Sequence, residues 1–155
     1  CSCQPPTPLD DGPHTVTVDA ADNDGNEATQ KSVQFTVDTV PPELSVTAPV
    51  NGLVTNKSSV TVTGTTNDVT SSPVTLTVNG EAVQVYDDGT FSTTIDLEEG
   101  ENIITVIATD SAGKSTTVTR TVVKDVTPPQ IKSISLTPNP TTVGGSYKIT
   151  VSVSD

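Results

Sequence analysis

The residues of this 155-residue chain best suited to chemistry are its carboxylates: 19 acidic side chains stand against 7 basic ones, for a net charge of −12. The densest group is Asp22-Asn23-Asp24-Gly25-Asn26, with Asp19 and Glu27 close by. Hard oxygens gathered on a tight turn are what a calcium ion takes as ligands, so Asp22 and Asp24 are calcium candidates. The spacing is not that of an EF-hand. With Gly25 as the loop's sixth residue, Ala20 falls at the first position and Lys31 at the twelfth, where oxygen ligands belong. Asp38 and Asp125, each just upstream of a Pro-Pro pair, are further candidates, placed to bridge adjacent modules through an ion. The competing explanation is local: Asp, Asn and Gly favour turns without any metal.

Other chemistries find less support. His14 is the sole histidine, beside Pro13 at a strand start, with no Cys or acidic partner set by a motif, and it is expected to be an exposed loop residue. No G-x-S-x-G elbow accompanies the many serines. Asp87-Asp88 and Glu98-Glu99 lie in turn segments, where solvent keeps carboxylates ordinary. The chain is therefore read as non-catalytic and without a cofactor, calcium excepted. Cys1 and Cys3 are separated only by Ser2, and a bridge between them is strained. Cys1 is also a candidate lipid-attachment residue, as the first residue of a mature lipoprotein. Asn56-Lys57-Ser58 fits a glycosylation sequon. Sugar-binding faces stack on exposed aromatic rings; with no Trp, and with Tyr86 and Tyr147 on strand positions where one is expected to be half-buried, a sugar-stacking face is not expected.

The elements that must position these residues are strands. Val and Thr alternate along most of the chain, and no helix-forming run keeps helical spacing. Apolar residues make up only 32% and aromatic ones 3%, which suits a thin core between two small sheets. A basic footprint for nucleic acid is missing, the same acidity is repelled by an anionic membrane surface, and no apolar run approaches the ~20 residues of a membrane span.

An internal repeat sets the organisation. Leu9, Gly12, Thr17, Val18, Ala20, Asp22, Gly25 and Thr29 recur as Leu97, Gly100, Thr105, Val106, Ala108, Asp110, Gly113 and Thr117 at an offset of 88. Pro41-Pro42 recurs as Pro128-Pro129 at an offset of 87, so the second copy has lost one residue inside its last strand. A fixed period marks a modular array. Residues 1–8 form a Pro-rich leader; 9–40 the C-terminal hairpin of a partial module; 41–127 a complete module; 128–155 the first strands of another. In the hairpin, strands over 14–20 and 32–37 turn Val33, Phe35 and Val37 inward. The complete module reads as about seven antiparallel strands over 44–48, 60–66, 74–78, 82–85, 91–97, 103–109 and 116–123. Gly64 is expected at a bulge, and Asn79-Gly80 in a type I′ hairpin turn. The third portion has strands over 131–136 and 147–153 flanking Pro138-Asn139-Pro140 and Gly144-Gly145. The repeat also tests the acidic turn: its second copy, Asp110-Ser111-Ala112-Gly113-Lys114, has lost two oxygens and gained a cation, which favours turn chemistry over calcium.

Val78-Asn79-Gly80, the DGTFS of residues 88–92, the L-x-x-G-x-N-x-I-x-V-x-A-x-D-x-A-G of 97–113 and the D-x-T-P-P of 125–129 together resemble the bacterial Ig-like repeats of secreted and cell-surface proteins. Within these, the chain is similar to the Ig-like accessory domain of extracellular glucan-degrading enzymes. The resemblance implies tandem immunoglobulin-like β-sandwiches on or outside the bacterial cell, without the cysteine pair and tryptophan of antibody domains. It further implies a structural or adhesive spacer whose partners are neighbouring modules and a surface or cell-wall polysaccharide or protein. The alternative is an accessory module of a polysaccharide-degrading enzyme. A lesser one is a filament subunit, in which incomplete modules at the two ends complete each other between chains by strand addition.

Overall fold

The structure, a computed structural model, describes residues 7–137 and 143–154. Cys1, Cys3 and the Pro138-Asn139-Pro140 turn lie outside the described residues. Twelve strands, and no helix among those residues, divide into three groups. The first is a hairpin of β1 (Gly12–Val18) and β2 (Lys31–Val37). The second is a sandwich of β3 (Glu43–Ala48), β4 (Leu53–Thr55), β5 (Ser59–Asn67), β6 (Thr75–Val78), β7 (Glu81–Val83), β8 (Thr90–Asp96), β9 (Gly100–Thr109) and β10 (Ser115–Lys124). The third is a hairpin of β11 (Gln130–Thr137) and β12 (Lys148–Ser154).

The sandwich faces a sheet of order β3-β5-β8 with one of order β4-β10-β9-β6-β7. Period-two alternation explains the core, because successive side chains of a strand point to opposite faces. In β9, Ile104, Val106 and Ala108 are fully buried, while the residues between them are only partly so. Val46, Val62 and Phe91 meet them from the smaller sheet, with Leu76, Val78 and Val122 beside them in the larger.

Two local features follow the sequence closely. Asn79 and Gly80 take φ of 51° and 88° between β6 and β7, as a type I′ turn demands. Gly64 lies opposite a bulge in β3, where the register slips between Val46 and Ala48. A Cβ on Gly64 would collide with the Ser45 carbonyl oxygen and come within 2.6 Å of the Phe91 ring.

Other features depart from expectation. The short strand β4 was not expected, and it pairs with β10 in parallel, so the module has eight strands and is not wholly antiparallel. Three residues are too few to show a period, and a parallel partner about seventy positions away leaves no local trace. Val33 and Phe35 do not face inward: they are 66% and 39% exposed, since among the described residues no second sheet covers this hairpin. His14 sits within β1, half-buried and stacked on Phe35 at 5.6 Å, with its Nε2 2.7 Å from the Asp10 carbonyl oxygen, so it is no loop residue. Tyr86 and Tyr147 are both more than half exposed, and neither lies within a named strand.

The repeat is visible as geometry. Gly12 pairs with Val37 as Gly100 pairs with Lys124, and Val18 with Lys31 as Val106 with Val118. The residue present only in the first copy falls between Ala28 and Lys31, where the hairpin ladder breaks; β10 runs through the same place without interruption. There the Gln30 amide donates to Asp19 at 2.7 Å, side chain to side chain, across the break.

Candidate functional site

The carboxylates that the fold brings together are Asp38, Asp68 and Asp110, each offering an oxygen within 4.8 Å of the others. They come from three loops at one end of the sandwich. Asp38 follows β2 in the segment leading to Pro41-Pro42, Asp68 follows β5, and Asp110 follows β9. All three are nine-tenths or more buried, at 8%, 9% and 5% exposure.

Each carboxylate is held by its own turn through Oδ1. The Asp38 oxygen accepts from Val40 N–H at 3.1 Å. That of Asp68 accepts from Thr70 N–H at 2.8 Å and Ser71 N–H at 2.7 Å. That of Asp110 accepts from Lys114 N–H at 2.8 Å, in a turn closed by Asp110 N–H on the Lys114 carbonyl at 3.0 Å. These Asx-type contacts are why Asp suits the positions locally. They leave the second oxygens over, and Oδ2 of Asp38 and of Asp110 are buried with no hydrogen-bond donor. Buried polar atoms are normally paired, so two orphan carboxylate oxygens on members of one cluster call for an explanation. At an effective dielectric near 20, like charges within such separations repel by roughly 3.5 kcal/mol or more per pair.

The linker is seated on the sandwich around this cluster. Pro42 is among the largest fully buried side chains, and its carbonyl accepts from the Thr116 hydroxyl at 2.6 Å. Thr39 donates its N–H and its hydroxyl to the two oxygens of Asp11, at 3.0 and 2.9 Å, which ties the same linker to the preceding hairpin. The loops bearing Asp68 and Asp110 are joined by Ser111 N–H donating to the Ser71 carbonyl at 3.2 Å.

The other sequence candidates stand apart from this cluster. Asp22 serves its own turn: Oδ1 accepts from Asp24 N–H at 3.0 Å and Asn26 N–H at 2.8 Å, and Oδ2 from the Asn26 amide at 2.7 Å. The Asn26 side chain first, then its backbone N–H, holds the Asp22 carboxyl below its ordinary value. Asp24 contributes its N–H to that turn. Asp125 is exposed and caps Thr127 N–H at 2.9 Å. Asp68 and Asp110 went unselected in the sequence. The available signal for Asp110 was its identity with Asp22 across the repeat, the one carboxylate both turns keep; Asp68 carries no comparable mark.

Beside the cluster opens a groove of about 940 Å³, lined among others by Asn67, Asp68, Pro73, Tyr86, Asp87 and Asp88. Tyr86 presents an exposed ring to it, flanked by carboxylates. Asp88 departs from the ordinary carboxylate expected of its turn segment: the hydroxyl and N–H of Thr90 hold it below its ordinary value, the hydroxyl most strongly.

Comparison with known proteins places matches on two parts of the chain. The family described as glucodextranase, domain B matches residues 42–126, more than half of the sequence, and a bacterial Ig-like domain family matches residues 1–39. Bacillopeptidase F of Bacillus subtilis (strain 168) is 38% identical over 109 residues; the match covers 70% of this chain and 7% of that protein. Among solved structures, the fibronectin(III)-like modules of Clostridium thermocellum CbhA align at 25% identity with a TM-score of 0.45, covering 75% of this chain and 64% of that one.

Proposed function

The chain belongs to the family of glucodextranase domain B, and from that premise we propose that it is a non-catalytic segment of an extracellular bacterial protein, acting as a spacer or stalk of Ig-like modules. The observation that carries this reading is the joint between repeated units. Asp38 and Pro42 are buried against the following sandwich, Thr116 fixes the linker carbonyl, and Asp11 fixes Thr39 from the other side. Two consecutive prolines restrict φ and remove two donors, so the linker has few conformations to lose when it seats. A connection of that kind holds one unit against the next, as a spacer needs. Exposed Thr and Ser and a net charge of −12 keep such a segment hydrated and self-repelling. A location outside the cell accords with relatives named for a glucodextranase and a bacillopeptidase.

A second reading, an accessory module contacting carbohydrate, is favoured by the Tyr86 groove. An exposed ring beside Asn67, Asp87 and Asp88 offers a stacking face with hydrogen-bonding groups around it. Affinity electrophoresis through gels containing soluble α- or β-glucans separates the two. Migration unchanged by glucan is the result expected of a spacer. Retardation that Tyr86→Ala abolishes would replace the spacer reading with the accessory one.

A further inference from the structure

We propose that Asp38, Asp68 and Asp110 form a site for one calcium-like divalent cation that locks the linker onto the sandwich. Proximity of acidic residues alone would not carry this. What does is that Oδ2 of Asp38 and Oδ2 of Asp110 are buried without a donor, in a cluster whose ligand oxygens all lie within 4.8 Å. Each Oδ1 is already committed to a backbone N–H of its own turn. The turns thereby hold the three carboxylates in one buried cluster in which two oxygens have no donor, and a cation is the partner that would satisfy them.

The donor set selects the kind of ion. Three carboxylates with no nitrogen or sulfur ligand favour a hard cation over zinc or copper. Ligands from three separate loops form a compliant cage, which suits the variable geometry of calcium better than the strict octahedron of magnesium. Main-chain carbonyls and water would complete the six to eight oxygens that calcium takes. An entry path exists, because Asp68 lies on the wall of the open groove.

The repeat supplies a parallel. Asp125 caps Thr127 N–H as Asp38 caps Val40 N–H, and Asp22 closes its turn as Asp110 does. Only in the Asp38–Asp68–Asp110 arrangement do the two kinds of residue meet among the described residues. Such an ion draws its ligands from both sides of the Pro41-Pro42 linker, so binding and seating of the linker become one event. A cation there would serve a stalk and an accessory module alike.

The test is calorimetric titration of the EDTA-treated, dialysed chain with calcium chloride, alongside thermal unfolding in calcium and in EDTA. The expected result is one ion per chain, with at least a tenfold loss of affinity in Asp38→Asn and in Asp110→Asn. Asparagine keeps the Oδ1 acceptor of each turn, and circular dichroism checks that each variant folds. In EDTA, both variants should melt higher than the parent, because a repelling charge is gone; in calcium the parent should melt higher. Asp22→Asn should bind as the parent does. The proposal is overturned by absence of binding heat at millimolar calcium, by equal affinity in parent and Asp110→Asn, or by a loss of binding in Asp22→Asn equal to that in Asp110→Asn.

Discussion

Single residues in this chain act mostly through turns and close approaches. Asp22 gathers two backbone N–H groups and one side-chain amide onto its carboxylate, and those donors favour the charged form. Its pKa in the folded chain is thus lowered from 3.8, and the sign of the linkage follows. The contribution is complete above the unfolded value and is lost as pH falls through the lowered folded value. We expect the Asn26 side-chain amide resonances to move toward random-coil positions below the ordinary carboxylate range, and Asp22→Asn to flatten that titration. Gly64 is the other residue whose type is imposed, since any side chain meets Ser45 and Phe91. Gly64→Ala should lower unfolding free energy by about 1–3 kcal/mol, the usual cost of overpacking a well-filled core. Urea denaturation with a shifted midpoint and unchanged slope would register it.

At the scale of elements, burial separates strands that look alike in sequence. The segments of β2 and β8 both alternate apolar with polar residues, yet Phe91 is 2% exposed and Val33 is 66% exposed. Phe91→Ala should therefore cost about 3–5 kcal/mol, whereas Val33→Ser should stay within about 0.5 kcal/mol; thermal unfolding of the two variants checks the contrast. Much of the sandwich was legible beforehand because alternation, Asn79-Gly80 and Gly64 are local signals written in a few neighbouring residues. Features that depend on distant partners were not. Whether Val33 is covered depends on a second sheet, and β4 depends on β10. The Asp38 cluster needs three loops to converge, and comparing whole turns across the repeat drew attention to the oxygens that differ. Asp110, which both copies retain, was the informative residue.

For the whole molecule, stability is concentrated in the middle. The sandwich holds every residue of the buried apolar core, while β1–β2 and β11–β12 are hairpins with exposed apolar faces. An isolated hairpin is marginal in water. Amide hydrogen exchange should consequently show β9 and β5 protected to the level of global unfolding, with the two hairpins exchanging on the order of a hundredfold faster or more. Uniform protection along the chain would contradict this ranking. The parallel pairing of β4 with β10 has a mechanical consequence. Leu53, Val54 and Thr55 lie against Val122, Val123 and Lys124, with Gly52 N–H donating to Thr121 and Asp125 N–H to Thr55 at either end. Bonds of a parallel pair are evenly spaced and cross between the strands at a slant. Once β3 is freed from β5, tension entering from the N-terminal side pulls β4 backward, and tension leaving toward the C-terminal side pulls β10 forward. The two slide along their common axis, so the bonds of this short ladder are loaded together in shear rather than peeled apart in succession. A strand of three residues thus stands as the module's mechanical clamp under traction.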